Sequence, residues 1–481
     1  MRTTELAIVG AGPAGLSAAA EAARHGVSVV LLDDNPRPGG QYFRQGPATR
    51  APHQLAPGPV KSNLGDVERA RALFSVTSHP RVAFLAGAVV WGVPEANMLA
   101  FTHAGQADRL RADAIIVAAG ATDRAVPFPG WTLPGVITAG GAQNLLKSQG
   151  VLPGQHVVVA GTGPLLLVVA DSLRRAGATV VEILETAPRG RTWMTLPRLA
   201  VVPALLRRGL EYRMGLARAG IPLRWGWTVI EARGRDEVSE AVVAPIDRTG
   251  RVDRTRSRAI HVDTVVAGFG LTPATELTGL LGCAHEWHPA RGGWIPSRSV
   301  DLETSVPGVF VAGDGAGIAG VETAILEGQL SGLLASARLG RCPPGEATTV
   351  ARGLRARLWR LTWFRTGIEK LYSSPADFLS LLTPETIVCR CEEVTARQLL
   401  DGLGRGLTSI NALKGATRIT MGACQGRNCL GTLADLVARE RRCGPVDLAY
   451  PQARPPARPV RLGDLLGEDI PPAASDATTL P

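Results

Sequence analysis

The sequence predicts an α/β fold in which one dinucleotide-binding unit is inserted into another, followed by a small helical unit. Three observations predict it. ELAIVGAGPAGLSAAAEAARHGVSVVLLDD, near the N-terminus, reads as strand, glycine loop, Ala-rich helix and strand. GQHVVVAGTGPLLLVVADSLRRAGATVVEILE repeats that order in mid-chain. VCRCEEVT and GACQGRNCLG, further on, hold four of the seven cysteines in two close pairs. A length of 481 residues leaves room for two or three domains with full hydrophobic cores.

The first loop satisfies each steric demand of a dinucleotide site. Gly10, Gly12 and Gly15 take the Gly-x-Gly-x-x-Gly spacing, with Pro13 and Ala14 inside it. Gly10 permits a tight turn, Gly12 lets backbone approach a pyrophosphate, and Gly15 lets the helix pack on the strand. The free N–H groups at the start of that helix suit phosphate oxygens. Asp33 closes the second strand, where a carboxylate can bind the adenosine ribose hydroxyls.

Three further stretches bear on the cofactor. PRPGGQYFR follows the acidic residue, AIIVAAGATDR is a buried strand running into a glycine turn at Gly120, and VPGVFVAGDGAG is a strand ending in Gly313-Asp314. Together with the first loop they resemble the flavoproteins with two dinucleotide-binding domains, such as ferredoxin reductases and thioredoxin reductases. The resemblance implies FAD at the first loop, with Asp314 on its ribitol and Gly40 and Gln41 beside the isoalloxazine. It also implies a discontinuous FAD-binding domain, residues 1–125 and 262–345, interrupted by an inserted Rossmann-like domain at 126–261.

The inserted loop departs from the pattern in two places. Gly161 and Gly163 match the first two glycines, but Leu166 stands where the third belongs, which predicts a helix held further from its strand. The acid is also displaced. Asp33 is the seventh residue after Gly26, whereas the seventh after Gly177 is Leu184, and Glu185 follows. A second adenine nucleotide, weakly held NAD(P)H and a structural relic are all compatible with this loop.

Composition narrows the functional classes. Only four of the 52 basic residues are lysines, so the net charge of +10 reads as an arginine-rich solvated surface, and no nucleic-acid-binding motif is present. No run is long and apolar enough to span a bilayer, and the N-terminus does not read as a signal peptide, so a cytoplasmic chain is expected. Thiols stay reduced there, which points the cysteines to metal or redox chemistry rather than disulfides. Residues 346–385 predict a basic helical linker. Its stripe of Leu354, Leu358, Leu361, Ile368 and Leu371 is broadened by Trp359 and Trp363, and it suits packing on its own protein, a partner or a membrane surface.

Cys283, Cys342 and Cys443 stand alone, so the spacing argues against a Cys-x-x-Cys disulfide reductase, and CAHEWH reads as a surface turn. The other four form Cys389-x-Cys391 and Cys424-x-x-x-x-Cys429. Thr395 can cap a helix between the pairs, and a second helix is expected from about Leu430 to Glu440. Four thiolates suit a [2Fe–2S] cluster or a structural zinc, and spacing alone does not decide. CRCEEVT and TMGACQGRNC resemble the bacterioferritin-associated-ferredoxin-like [2Fe–2S] domain, which implies a cluster on Cys389, Cys391, Cys424 and Cys429 within residues 386–445. A Pro-rich tail, 446–481, is expected to be extended or disordered.

VPFPGWTLPGVITAGGAQ, GTGPLLLVVA and GWTVIEARG, with the four-residue gap between Cys424 and Cys429, extend the resemblance to about residue 440. They resemble the FAD-containing subunits of opine oxidase, hydrogen cyanide synthase and hydroxyproline dehydrogenase. That resemblance implies an electron-transfer subunit of a heteromeric amino-acid or imino-acid dehydrogenase or oxidase. It implies as partners a glycine-oxidase-like FAD subunit, with a small ferredoxin-like subunit next to it, and peripheral membrane association is compatible. No catalytic residue is legible. The competing readings are a stand-alone NAD(P)H:acceptor reductase and a non-catalytic redox sensor or assembly subunit.

Overall fold

The computed structural model describes residues 1–46, 64–190, 192–247 and 249–466. Its first sheet is a parallel core with an antiparallel extension. Val82–Ala86, Val29–Asp33, Arg2–Val9 and Gln106–Val117 run parallel in that order, and Val309–Val311 pairs with the end of Gln106–Val117. The beginning of the same long strand pairs antiparallel with Met98–His103, which pairs in turn with Val89–Gly92. The parallel strands read as continuous apolar runs because both of their faces are buried in hydrophobic cores. On one face lie the helices Pro13–Arg24 and Val321–Arg338. They cross closely at two glycines: a Cβ at Gly328 would lie 2.1 Å from the Ala14 carbonyl oxygen, and one at Gly332 2.4 Å from that of Ala18.

The second sheet is wholly parallel, in the order Leu223–Trp225, Thr179–Glu185, His156–Gly161, Thr264–Gly268, Val136–Thr138. A three-stranded antiparallel sheet, Trp227–Arg233, Glu240–Pro245 and Arg258–His261, packs against it. Thr264–Gly268 therefore lies in the second sheet, although the sequence places the return to the first unit at 262. The connection runs later in the chain. Ala121–Asp123 leaves the first unit and Leu271–Pro273 re-enters it, and the two pair antiparallel as a ribbon. TVVAG is a buried strand whichever unit holds it, so its composition could not decide.

The long helix Pro344–Leu371 packs Ala347, Ala351 and Leu354 against Val321–Arg338, with Leu358 and Leu361 at the edge. Trp359 and Trp363 do not broaden that stripe. They are 61% and 39% exposed and meet edge to face, with ring centroids 5.8 Å apart.

The thiol-bearing unit is a small helical layer over a two-stranded ribbon, Ile387–Cys389 with Val394–Thr395. Thr395 forms a reciprocal capping box with Gln398 at the start of Ala396–Gly404, and Leu430–Glu440 is the later helix. CAHEWH is not a surface turn: Cys283 is buried, and His285–His288 is a strand paired with Gly293–Pro296. The segment from 446 is not a loose tail either. Tyr450 donates to Thr275 Oγ1 at 3.0 Å and stacks on His285, centroids 3.9 Å apart, while the Ala457 amide donates to the Trp91 carbonyl at 2.8 Å. One aromatic anchor and one backbone bond strap the segment across its own protein; residues 467–481 lie outside the described residues. Among the described residues no helix is long and apolar enough to cross a membrane.

Candidate functional site

Gly10 leaves the strand Arg2–Val9 at φ +105°, and a Cβ there would lie 2.3 Å from the Ala118 carbonyl oxygen. A Cβ at Gly15 would lie 1.7 Å from the Gly10 carbonyl oxygen. Both contacts are backbone, so no rotamer relieves them. Pro13 occupies the first helical turn, which has no acidic residue to compete with a phosphate. Asp33 ends its strand with Oδ2 accepting from the Ala11 amide at 2.5 Å and Oδ1 from the Asn35 amide at 2.8 Å. Burial holds its carboxyl above the usual range despite those bonds.

The segment holding Gly39 and Gly40 folds over this loop. The Gly39 amide donates to the Ala11 carbonyl at 2.8 Å, and a Cβ at Gly40 would lie 2.8 Å from the Gly12 Cα. Asp314 follows Gly313 opposite the helix start; its Oδ1 accepts from the amides of Ala319 and Gly320 at 2.9 and 3.0 Å. Gly10, Gly12, Pro13, Ala14, Asp33, Gly40, Gln41, Gly120, Gly313 and Asp314 all line one cavity of about 2220 Å³. Gly15 stands behind it, in the helix–strand packing. The lining has what FAD needs: apolar Leu32, Val89 and Val90, the acid Asp33, the free helix N-terminus with Gly40 folded against Gly12, and Asp314.

Lys147 lines the same cavity, and no motif in the sequence singles it out. It sits on a single π-helical turn, Leu145–Gln149, and burial followed by the nearby Arg44 guanidinium lowers its pKa. Only its rarity, one of four lysines, could flag it.

The inserted loop is closer to the first than counting suggests. Glu185 is opposite Gly161 in the register, and a β-bulge between Val180 and Glu182 absorbs the extra residue. Its Oε2 accepts from the Gly163 amide at 3.0 Å and its Oε1 from the Ala187 amide at 2.9 Å, the same two kinds of bond that Asp33 makes. The acid is displaced in sequence and not in space. Leu166 is likewise accommodated. It is 1% exposed, and a Cβ at Gly268 would lie 2.7 Å from its Cδ2, so the glycine that makes room stands on the neighbouring strand. Gly163 lines the shared cavity, whereas Gly161 packs on Gly268 behind it.

Burial pushes the Glu185 carboxyl up to about 7 from 4.5. The folded chain then binds this proton more tightly than the unfolded chain. The associated stability is complete below about pH 4.5 and is lost as pH rises through about 7. Relative to Glu185→Gln, the wild-type protein should lose about 2–3 kcal/mol between roughly pH 5 and 7.5, read by urea unfolding at each pH. Identical pH slopes for the two proteins would contradict a buried titrating carboxyl.

The four paired cysteines meet at one end of the helical unit. Cys389 and Cys429 are fully buried, Cys424 is half-buried and Cys391 is exposed. The Cys429 thiol contacts Cys389, lowering its pKa to about 6 and raising that of Cys429; Cys391 contacts Cys424. Each contact joins one cysteine of the first pair to one of the second. A single tetrahedral ion would draw all four sulfurs within about 4 Å of one another. Among the described residues, no three of these four have ligand atoms mutually within 4.8 Å. Two pairs suit two irons better than one zinc.

The surrounding backbone is strained in a way that serves such a centre. Glu393, Arg418, Thr420 and Gln425 are four of the eight described non-glycine residues with positive φ. Thr420, β-branched at φ +68°, turns its amide toward Cys389 and Cys429. Amides aimed at sulfurs stabilise their negative charge, and strain of about 1–3 kcal/mol per residue persists only where the surroundings enforce it.

The helical unit faces the cavity. Arg427, Asp435, Arg439 and Cys443 line it beside the nucleotide loops. Asp435 pairs with Arg124 at 3.3 Å, Arg439 pairs with Asp377, and Trp131 Nε1 donates to the Ile387 carbonyl at 2.6 Å.

Residues 4–328 match the pyridine nucleotide-disulphide oxidoreductase family, and residues 387–439 match the BFD-like [2Fe-2S] binding domain. The chain is 34% identical to the A subunit of opine oxidase from Agrobacterium tumefaciens (strain Ach5), over 96% of this chain and 91% of that one. It is 35% identical to hydrogen cyanide synthase subunit HcnB of Pseudomonas aeruginosa, over 94% and 96%. Among solved structures, L-proline dehydrogenase from P. horikoshii shares the fold at a TM-score of 0.68 and 19% identity, over 96% of this chain and 79% of that one.

Proposed function

The chain belongs to the pyridine nucleotide-disulphide oxidoreductase family and to the family of HcnB and the opine oxidase A subunit, and we propose that it is the electron-transfer subunit of a heteromeric enzyme that dehydrogenates an amino or imino acid. It is a flavoprotein oxidoreductase with a BFD-like [2Fe–2S] domain. The observation that carries the proposal is the shared cavity, which runs from the first glycine loop to the helix leaving the four-cysteine cup. When bound, FAD supplies two-electron chemistry and a [2Fe–2S] centre single-electron transfer.

The chain's own residues would hold and tune these groups. Asp33 and the Pro13–Arg24 N-terminus would bind the ribose and pyrophosphate, Asp314 the ribitol, and Gly40 and Gln41 would flank the ring. Lys147 would place positive charge beside it, and Cys389, Cys391, Cys424 and Cys429 would ligate the irons. No cysteine lines the cavity in a Cys-x-x-Cys pair, so a dithiol is not the acceptor.

The substrate would be oxidised on a partner of the glycine-oxidase-like kind. Met194, Leu196, Leu210, Met214, Trp359 and Trp363 are exposed on three helices, Thr192–Leu199, Pro203–Arg218 and Pro344–Leu371. Leu196 and Leu210 also line the cavity mouth, so a partner seated there would cap it.

Stopped-flow mixing with NADH or NADPH tests the proposal. The flavin should stay oxidised over seconds, then bleach when a co-expressed amine-oxidising flavoprotein and its substrate are added, with cluster reduction following. Rapid bleaching by either nicotinamide alone would overturn it in favour of a stand-alone NAD(P)H:acceptor reductase. Glu185 favours that second reading, because its register restores the acid that the inserted loop lacks by counting.

A further inference from the structure

Away from both sites, the end of the helix Pro13–Arg24 meets the start of the long helix Pro344–Leu371. Glu21 and His25 stand one turn apart on the first. Cys342 and Glu346 stand four residues apart at the entry to the second. A ring nitrogen of His25, the Cys342 Sγ and a Glu346 carboxylate oxygen lie within 4.8 Å of one another. Among the described residues this is the one set of three such donors that close. Cys342 is 3% exposed, the His25 side chain 9%, and Glu346 faces solvent.

We infer that Cys342, His25 and Glu346 form a three-ligand zinc site, distinct from the four-cysteine cup. The donor set carries the choice of ion. A thiolate with an imidazole and a carboxylate suits a borderline-soft, four-coordinate cation and disfavours magnesium and calcium, which take oxygen. Bonds of about 2.0–2.3 Å place tetrahedral ligand atoms roughly 3.3–3.8 Å apart, a contraction that side-chain rotation supplies.

Glu21 completes the arrangement. Its Oε1 lies 3.2 Å from His25 Nε2, the carboxylate–histidine contact that fixes a metal-binding ring, so Nδ1 is left for the ion. Water takes the fourth position on the exposed side, beside Glu346. The local charge points the same way. Two carboxylates, Glu21 and Glu346, stand near the Cys342 thiol, and Arg24 is engaged with Glu21. A divalent ion neutralises this excess. It would tie the first nucleotide-binding helix to the base of the long helix that carries Trp359 and Trp363.

Metal analysis and zinc-edge X-ray absorption on the full-length, cluster-loaded protein test this. One zinc per chain is expected beside the iron, with one sulfur and the remaining ligands nitrogen or oxygen. Cys342→Ser should weaken zinc binding about tenfold or more in chelator competition. Glu346→Gln, at an exposed position that folding tolerates, should weaken it likewise, whereas Cys443→Ser should not. A chain that takes up no zinc from micromolar solution overturns the inference. So does zinc retained unchanged in Cys342→Ser, or a shell of sulfur alone, which would place the ion in the cysteine cup.

Discussion

Gly422→Ala should remove the iron and leave the flavin. A Cβ at residue 422 would lie 2.4 Å from the Cys391 Cβ and 3.0 Å from Glu392 Oε1. Carbon atoms pack at about 3.5–4.0 Å, so the two loops must part by more than an ångström. They cannot do so freely. Glu392 is held by Arg418 at 2.8 Å, and Cys389 is buried in the ribbon behind. A ligand set tolerates about 0.2 Å of error, so parting the loops takes Cys391 and Cys424 out of bonding range of one centre. Iron and acid-labile sulfide should fall about tenfold or more, the cluster's electron-paramagnetic signal should vanish, and flavin content should hold. Gly431→Ala is the control, because nothing lies within 4 Å of a Cβ there. Full iron in Gly422→Ala would mean that these four cysteines do not hold the cluster.

What the sequence reveals and what it hides divide along the range of the interaction. The first loop is legible residue by residue, because each glycine answers a constraint set a few positions away. The Thr395 cap and the helix Leu430–Glu440 are legible for the same reason. Glu185 escapes because counting along a strand assumes an unbroken ladder, and the bulge at Val180–Glu182 breaks it. Leu166 misleads because the compensating glycine, Gly268, is about a hundred positions away in sequence and adjacent in space. Tyr450 sits in a segment whose proline content mimics a disordered tail, and its stacking on His285 is invisible until the chain is folded. Lys147 has no motif; only the closing of the cavity makes it a candidate.

Arg427→Met should uncouple the cluster unit from the flavoprotein body without emptying either site. Arg427 stands between Cys424 and Cys429 with its side chain only 10% exposed. One Nη donates to the Cys424 carbonyl at 3.0 Å, while Nε lies 2.8 Å from Glu276 Oε1 on the helix Glu276–Leu280. One guanidinium therefore joins the Cys424 loop to the helix Glu276–Leu280. Its removal leaves the Glu276 carboxylate, 19% exposed, without its partner, a loss of about 3–5 kcal/mol for a buried pair. The cluster's potential gives the more specific reading. A positive charge beside the irons favours the added electron, so Arg427→Met should lower the midpoint potential. Glu276→Gln removes a negative charge and should raise it. A unit charge within about 10 Å, at an effective dielectric near 20, corresponds to about 1–2 kcal/mol, or roughly 50–100 mV. The double variant should fall between the two and regain much of the stability lost in Arg427→Met, because no buried charge is then left alone. Transfer from photoreduced flavin to cluster should slow in Arg427→Met and stay slow in the double variant, since the guanidinium bridge is missing from both. Shifts of the same sign in the two single variants would show that the pair does not act on the cluster through its charge.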